Sequence, residues 1–184
     1  MSTYQYYEFL AVDRPLDERA QAEVRSLSTR ARISATSFVN EYHWGDFSGN
    51  PSKMMERYYD AHLYLANWGT RHLMLRLPTT VLDLDVVDQY CIGDEVTAWT
   101  VDKHLVLSLV NEDEEGDWDV EPPGMLAAII GVRSELATGD HRALYLAWLA
   151  GCGLQAIVDE PDIDEDELEP PCAAGTADTD RTTA

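Results

Sequence analysis

The chain has 184 residues, 45% of them hydrophobic, and carries 34 acidic against 13 basic side chains for a net charge of −21. This length suits one domain that buries a core without disulfide or metal staples. The negative field argues against nucleic acid or anionic membranes as partners; it favours basic partners or cations, or serves solubility alone.

Residues 4–12 are aromatic and β-favouring and read as a strand. Arg14-Pro15-Leu16 ends it, and Asp17 is placed to cap a helix whose stripe is Leu16, Ala20, Val24, Leu27 and Ala31. A second strand is expected over residues 33–44. A loop follows, then Asn50-Pro51 as N-cap and first turn of a short helix reaching about Tyr59. Residues 61–67 and 70–77 flank Trp68-Gly69 as a hairpin. Leu63 and Leu65 mark one face of its first arm, and Leu73, Leu75 and Leu77 one face of its second. A short helix over residues 84–91 precedes a second hairpin, residues 95–101 and 104–110 around Asp102-Lys103.

Residues 124–137 and 141–157 read as two helices, with Gly139 ending the first and Asp140 capping the second. The second is apolar on most sides, so Trp148 is expected to be buried. The whole reads as α+β: a mainly antiparallel sheet with flanking helices and a C-terminal helical hairpin, in one domain over residues 1–158.

Charge divides the chain. Residues 1–110 hold 15 acids and 10 bases, whereas residues 111–184 hold 19 acids and 3 bases. The surplus lies in two runs, residues 112–121 and 159–169. Residues 159–184 are too poor in large apolar side chains to offset their ordering entropy, and a disordered acidic tail is expected. Trp118, inside the first run, is expected to pack back on the domain. Asn111, Asp113, Glu115, Gly116, Asp117 and Asp119 mimic calcium-loop spacing, but Pro122 stands where a bidentate Glu is needed.

Several segments have a familiar wording: Tyr4-Gln5-Tyr6-Tyr7-Glu8-Phe9, Asp13-Arg14-Pro15-Leu16, the run from Phe38 to Phe47, Met55-Glu56-Arg57-Tyr58-Tyr59-Asp60, Tyr64-Leu65-Ala66-Asn67-Trp68-Gly69-Thr70 and Leu73-Met74-Leu75-Arg76-Leu77-Pro78. Together they resemble a family of uncharacterised bacterial proteins over residues 4–171. The resemblance implies a bacterial origin and one domain, and it carries over no catalytic residue. Beyond Pro171 this chain has no helical periodicity, where the family continues with helical sequence.

Two polar constellations are candidates for chemistry. Glu41 and His43 share a strand face, and Asp46 follows in the next loop, so the three suit a general-base pair or metal ligands. Arg57, Arg71 and Arg76, with Trp68 and neighbouring tyrosines, suit an anion or nucleotide pocket. No metal is assigned. Cys91, Cys152 and Cys172 lack zinc spacing and are expected as reduced thiols of a cytoplasmic protein. No phosphate-loop, dinucleotide, nucleophile-elbow or zinc-protease motif is present, so no cofactor is expected. The leading expectation is a non-enzymatic interaction protein whose acidic segments meet a basic protein. The alternative is a small enzyme or ligand-binding domain centred on Glu41, His43 and Asp46.

Overall fold

The computed structural model describes residues 3–112, 122 and 124–158, without the side chains of residues 153–158. The acidic run after Glu112, Trp118 and residues 159–184 lie outside the described residues. Among the described residues, seven strands form one antiparallel sheet: β1 (Gln5–Leu10), β2 (Arg32–Ile33), β3 (Ser37–Tyr42), β4 (Ala61–Ala66), β5 (Thr70–Pro78), β6 (Val96–Val101) and β7 (His104–Glu112). Their order is β2-β3-β1-β4-β5-β7-β6, so the first strand of the chain becomes a central one.

Period-two alternation divides the sheet into two dissimilar faces. Leu63, Leu65, Leu75, Leu77, Leu105 and Leu107 are buried together on one face, as the alternating leucines require. Over that face lie α3 (Leu84–Val87), α4 (Met125–Ile129), α5 (Gly131–Ala137) and α6 (Arg142–Val158), which contribute Val87, Leu126, Leu136 and Leu144. The opposite face carries Tyr7, Phe9, Phe38, Met74 and Val106. It is covered by α1 (Glu18–Leu27) and α2 (Pro51–Arg57) through Val24, Met54 and Met55. The fold is α+β with an antiparallel sheet and helices on both faces.

Local chemistry explains the helix starts. The Asp17 carboxylate accepts the Ala20 N–H at 2.8 Å, and Asn50 does the same for Lys53 at 3.0 Å, with Pro51 in the first turn of α2. At Gly69 the β4–β5 turn needs φ = +102°, a conformation costly for any side chain. Trp148 is 7% exposed, as the apolar character of its helix implies.

One expected strand is divided. Residues 33–44 form β2 and β3, which pair with each other, Arg32 opposite Val39 and Ile33 opposite Phe38. The Ser34 hydroxyl accepts the N–H groups of Thr36 and Ser37 at 3.2 and 3.0 Å, which turns the chain back on itself. Similarly, residues 124–137 are split between α4 and α5, and α2 ends at Arg57 rather than at Tyr59.

Candidate functional site

The alternation that buries leucines on one face forces the intervening residues of the same strands onto the other. These are Gln5, Tyr7, Phe9, His62 and Ser108, which are buried, and Tyr64, His72 and Arg76, which are half-buried; together they form a polar and aromatic layer. The Gln5 carboxamide oxygen accepts from the hydroxyls of Tyr7 at 2.8 Å and Tyr64 at 3.2 Å. Its nitrogen donates to Asp46 Oδ1 at 2.8 Å and to the Gly45 carbonyl at 3.2 Å. Burial raises the Tyr7 and Tyr64 phenols above their ordinary range. The layer therefore pins the residue 45–46 loop to the sheet.

The structure does not assemble Glu41, His43 and Asp46. Glu41 pairs with Tyr6 across the strands and so lies on the leucine side, where it meets Arg32 at 3.2 Å in an exposed ion pair. The His43 ring rests on Tyr4 at 5.3 Å. Asp46 serves Gln5 on the opposite face. Among the described residues no group of three or more His, Cys, Asp or Glu comes together to hold a metal.

His62 is fully buried, stacked on Phe9 with ring centroids 3.9 Å apart. Its Nδ1–H donates to the Glu8 carbonyl at 2.9 Å, which leaves Nε2 unprotonated and without a partner among the described residues. Burial pushes its pKa down to about 3 and also lowers that of His72, whose Nε2 bonds the Ser108 hydroxyl at 2.7 Å. An unfolded histidine titrates near 6.5. Below that pH the unfolded chain gains a proton that folded His62 refuses. Its stabilising contribution is thus complete above about pH 6.5 and drains away toward pH 3, by about 1.4 kcal/mol per unit. Glu8, whose carboxyl is raised by burial, opposes this trend because the folded form binds its proton more readily. Denaturant titrations between pH 7 and 5 are expected to show falling stability, with a clearly shallower slope for His62→Asn, which retains an N–H donor. An unchanged slope would mean that His62 is not the group responsible.

The arginine trio is also divided, and the division defines two cavities on opposite faces of the sheet. The first lies on the leucine face, between the sheet and helices α4 and α6, with a volume of about 240 Å³. Leu63, Leu65, Leu73, Val96, Leu109 and Met125 supply an apolar wall, and Arg71, Glu95 and Asn111 contribute the charged and amide groups. Arg71 makes no ion pair among the described residues. Glu95 Oε2 is buried without a hydrogen-bond partner among them. An acceptor in that state costs about 1–3 kcal/mol.

The second cavity, about 140 Å³, is lined by Arg14, Pro15, Leu16, Asp17, Ala20, Arg57, Tyr58 and Arg76. Trp68 joins neither cavity; it stands 46% exposed in the β4–β5 turn. Sequence reading assigned no site role to Glu95 or Arg14 and placed Asn111 only in the calcium-loop spacing that Pro122 breaks. Arg14 was readable only as the end of a strand, and Glu95 as the start of one.

The fold and its cavities define an α+β protein with a seven-stranded antiparallel sheet and a cavity on each face. Comparison with known protein families, curated proteins and solved structures finds no match to this chain. No helix among the described residues is long and apolar enough to cross a membrane.

Proposed function

We propose that this chain is a small-molecule-binding protein whose leucine-face cavity takes an apolar body with a zwitterionic head. One observation carries this reading: two side chains of opposite charge, Arg71 and Glu95, line a single apolar cavity without pairing with each other. A carboxylate on the ligand answers Arg71 by bidentate bonding, and an ammonium answers the orphaned Glu95 oxygen. At about 30 Å³ per water-sized group, the cavity accepts about eight such groups, the size of an aromatic amino-acid side chain. The expected pairing of the helices over residues 124–157 as a hairpin belongs to this reading, with α6 as the outer wall. Apolar pockets with a few convergent polar groups are where small ligands bind.

Calorimetric titration with phenylalanine, phenylpropionate and phenethylamine tests it, since the last two each lack one charge of the first. Phenylalanine is expected to bind best. Arg71→Ala should weaken phenylalanine about tenfold and leave phenethylamine nearly unaffected. Glu95→Gln should do the reverse, weakening phenethylamine and sparing phenylpropionate. Equal affinity for all three compounds, unaltered by either variant, would refute the reading.

A second reading rests on the 19 acids against 3 bases of residues 111–184. There the chain is an interaction protein for a basic partner. Capture of a basic protein that is lost on neutralising Glu112, Asp113, Glu114 and Glu115 would favour that reading over the first.

A further inference from the structure

The second cavity lies across the sheet from the proposed ligand pocket and is built differently. Its floor is Arg76, whose side chain is only 15% exposed. The Arg76 Nε and Nη2 both donate to Asp60 Oδ1, at 3.1 and 2.7 Å, and Nη1 donates to the Glu56 carbonyl at 3.0 Å. Three of the five guanidinium N–H donors are thereby used, and the plane is fixed with two donors left over. Asp60 is held in turn, because its Oδ2 accepts the N–H groups of Val12 and Asp13 at 2.7 and 2.9 Å. Those two bonds set the course of the chain into Arg14.

Arg14 and Arg57 stand exposed at the rim. Neither has a carboxylate within 4.0 Å among the described residues, although acids outnumber bases 34 to 13 in the chain. Two nearby carboxylates are otherwise engaged. Asp17 caps its own helix through Ala20, and Glu23 accepts from the Tyr58 hydroxyl at 2.6 Å and from Arg19 at 3.0 Å. Asp60 already offsets Arg76, and among the residues lining the cavity Arg14 and Arg57 outnumber Asp17, while Glu23, beside Tyr58, also attracts Arg57.

We propose that Arg14, Arg57 and Arg76 form a phosphate site. Three guanidinium groups, one of them immobilised, suit a tetrahedral oxyanion that accepts several N–H donors at once. At about 30 Å³ per water-sized group, the volume of about 140 Å³ accepts between about four and five such groups, which matches one phosphate. The Pro15, Leu16 and Tyr58 side chains line the same cavity and would flank the ester group of a phosphomonoester. Free phosphate presents the same oxygens.

The test is a titration of the full chain, followed by calorimetry and phosphorus NMR, with inorganic phosphate and with phenyl phosphate at constant ionic strength. Saturable binding of at least one probe is expected. Arg14→Gln and Arg57→Gln should each weaken it about tenfold, while Lys103→Gln, which removes the same charge from the β6–β7 turn outside the cavity, changes it less than about twofold. Both rim arginines are exposed, so the variants should melt with the parent. Tighter binding of phenyl phosphate assigns the site to an ester; equal or tighter binding of inorganic phosphate assigns it to the free ion. Absence of saturable binding by either probe overturns the proposal. So does equal weakening by Lys103→Gln, which would reduce the effect to net charge. Neither result bears on the leucine-face cavity.

Discussion

Asp60→Ala is expected to destabilise the protein by about 3–5 kcal/mol, as breaking a buried ion pair on one side does. The Asp60 side chain is 2% exposed and that of Arg76 is 15% exposed. Removing the carboxylate strands a guanidinium away from bulk water. It also orphans the backbone N–H groups of Val12 and Asp13, each of which loses its acceptor. The residue sits just before β4, and its backbone bonds Leu10 and Arg76 at 2.8 Å each, so the damage falls where β1 and β5 are tied together. An exposed pair gives the contrast. Arg19 and Glu23 are 87% and 45% exposed, and Arg19→Gln should leave the denaturation midpoint nearly unchanged. Urea denaturation of both variants measures the difference. A loss below about 1 kcal/mol for Asp60→Ala would mean that water replaces the carboxylate at little cost.

Phe9→Ala is expected to cost about 3–5 kcal/mol, the usual range for truncating a buried aromatic ring. Phe9 is wholly buried on a central strand and touches three rings: Phe38 at 5.5 Å, Tyr59 at 5.3 Å and His62 at 3.9 Å. Little backbone can move to close the cavity, because β1 is hydrogen-bonded on both sides. The loss also opens space beside the His62 ring. Water admitted there would hydrate the imidazolium, so the pH dependence between 7 and 5 should become shallower than in the parent. A variant that loses stability yet keeps the full slope would show that His62 stays dry without Phe9.

Much of this fold is legible in residue order, and the reasons are local. Leu63, Leu65, Leu73, Leu75, Leu77, Leu105 and Leu107 alternate, and period two leaves them a single face. Asp17 and Asn50-Pro51 mark helix starts by hydrogen bonds that reach three residues. The break between β2 and β3 was missed because the turn carries no Gly, Pro, Asn or Asp; the Ser34 hydroxyl makes it instead.

The candidate sites were less legible. Glu41, His43 and Asp46 are neighbours in the chain, but a turn after β3 sends the third to the other side of the sheet. Arg57, Arg71 and Arg76 look alike in composition, yet Arg71 belongs with Leu73 on one face and Arg76 with Met74 on the other. Arg14 reaches Arg76 only because β1 and β5 both flank β4. Glu95 joins Arg71 across the intervening strand β7. Such groupings depend on sheet order, which no local pattern encodes.

The central claim is that the leucine-face cavity holds a ligand. Methyl NMR during a phenylalanine titration tests it directly. Saturable shifts are expected for Leu63, Leu65, Leu73, Val96, Leu109 and Met125, with Val24 of α1 and Met54 of α2 unmoved. Shifts confined to the exposed α6 residues Leu146 and Leu149, or no saturable shift at the cavity methyls, would contradict the account.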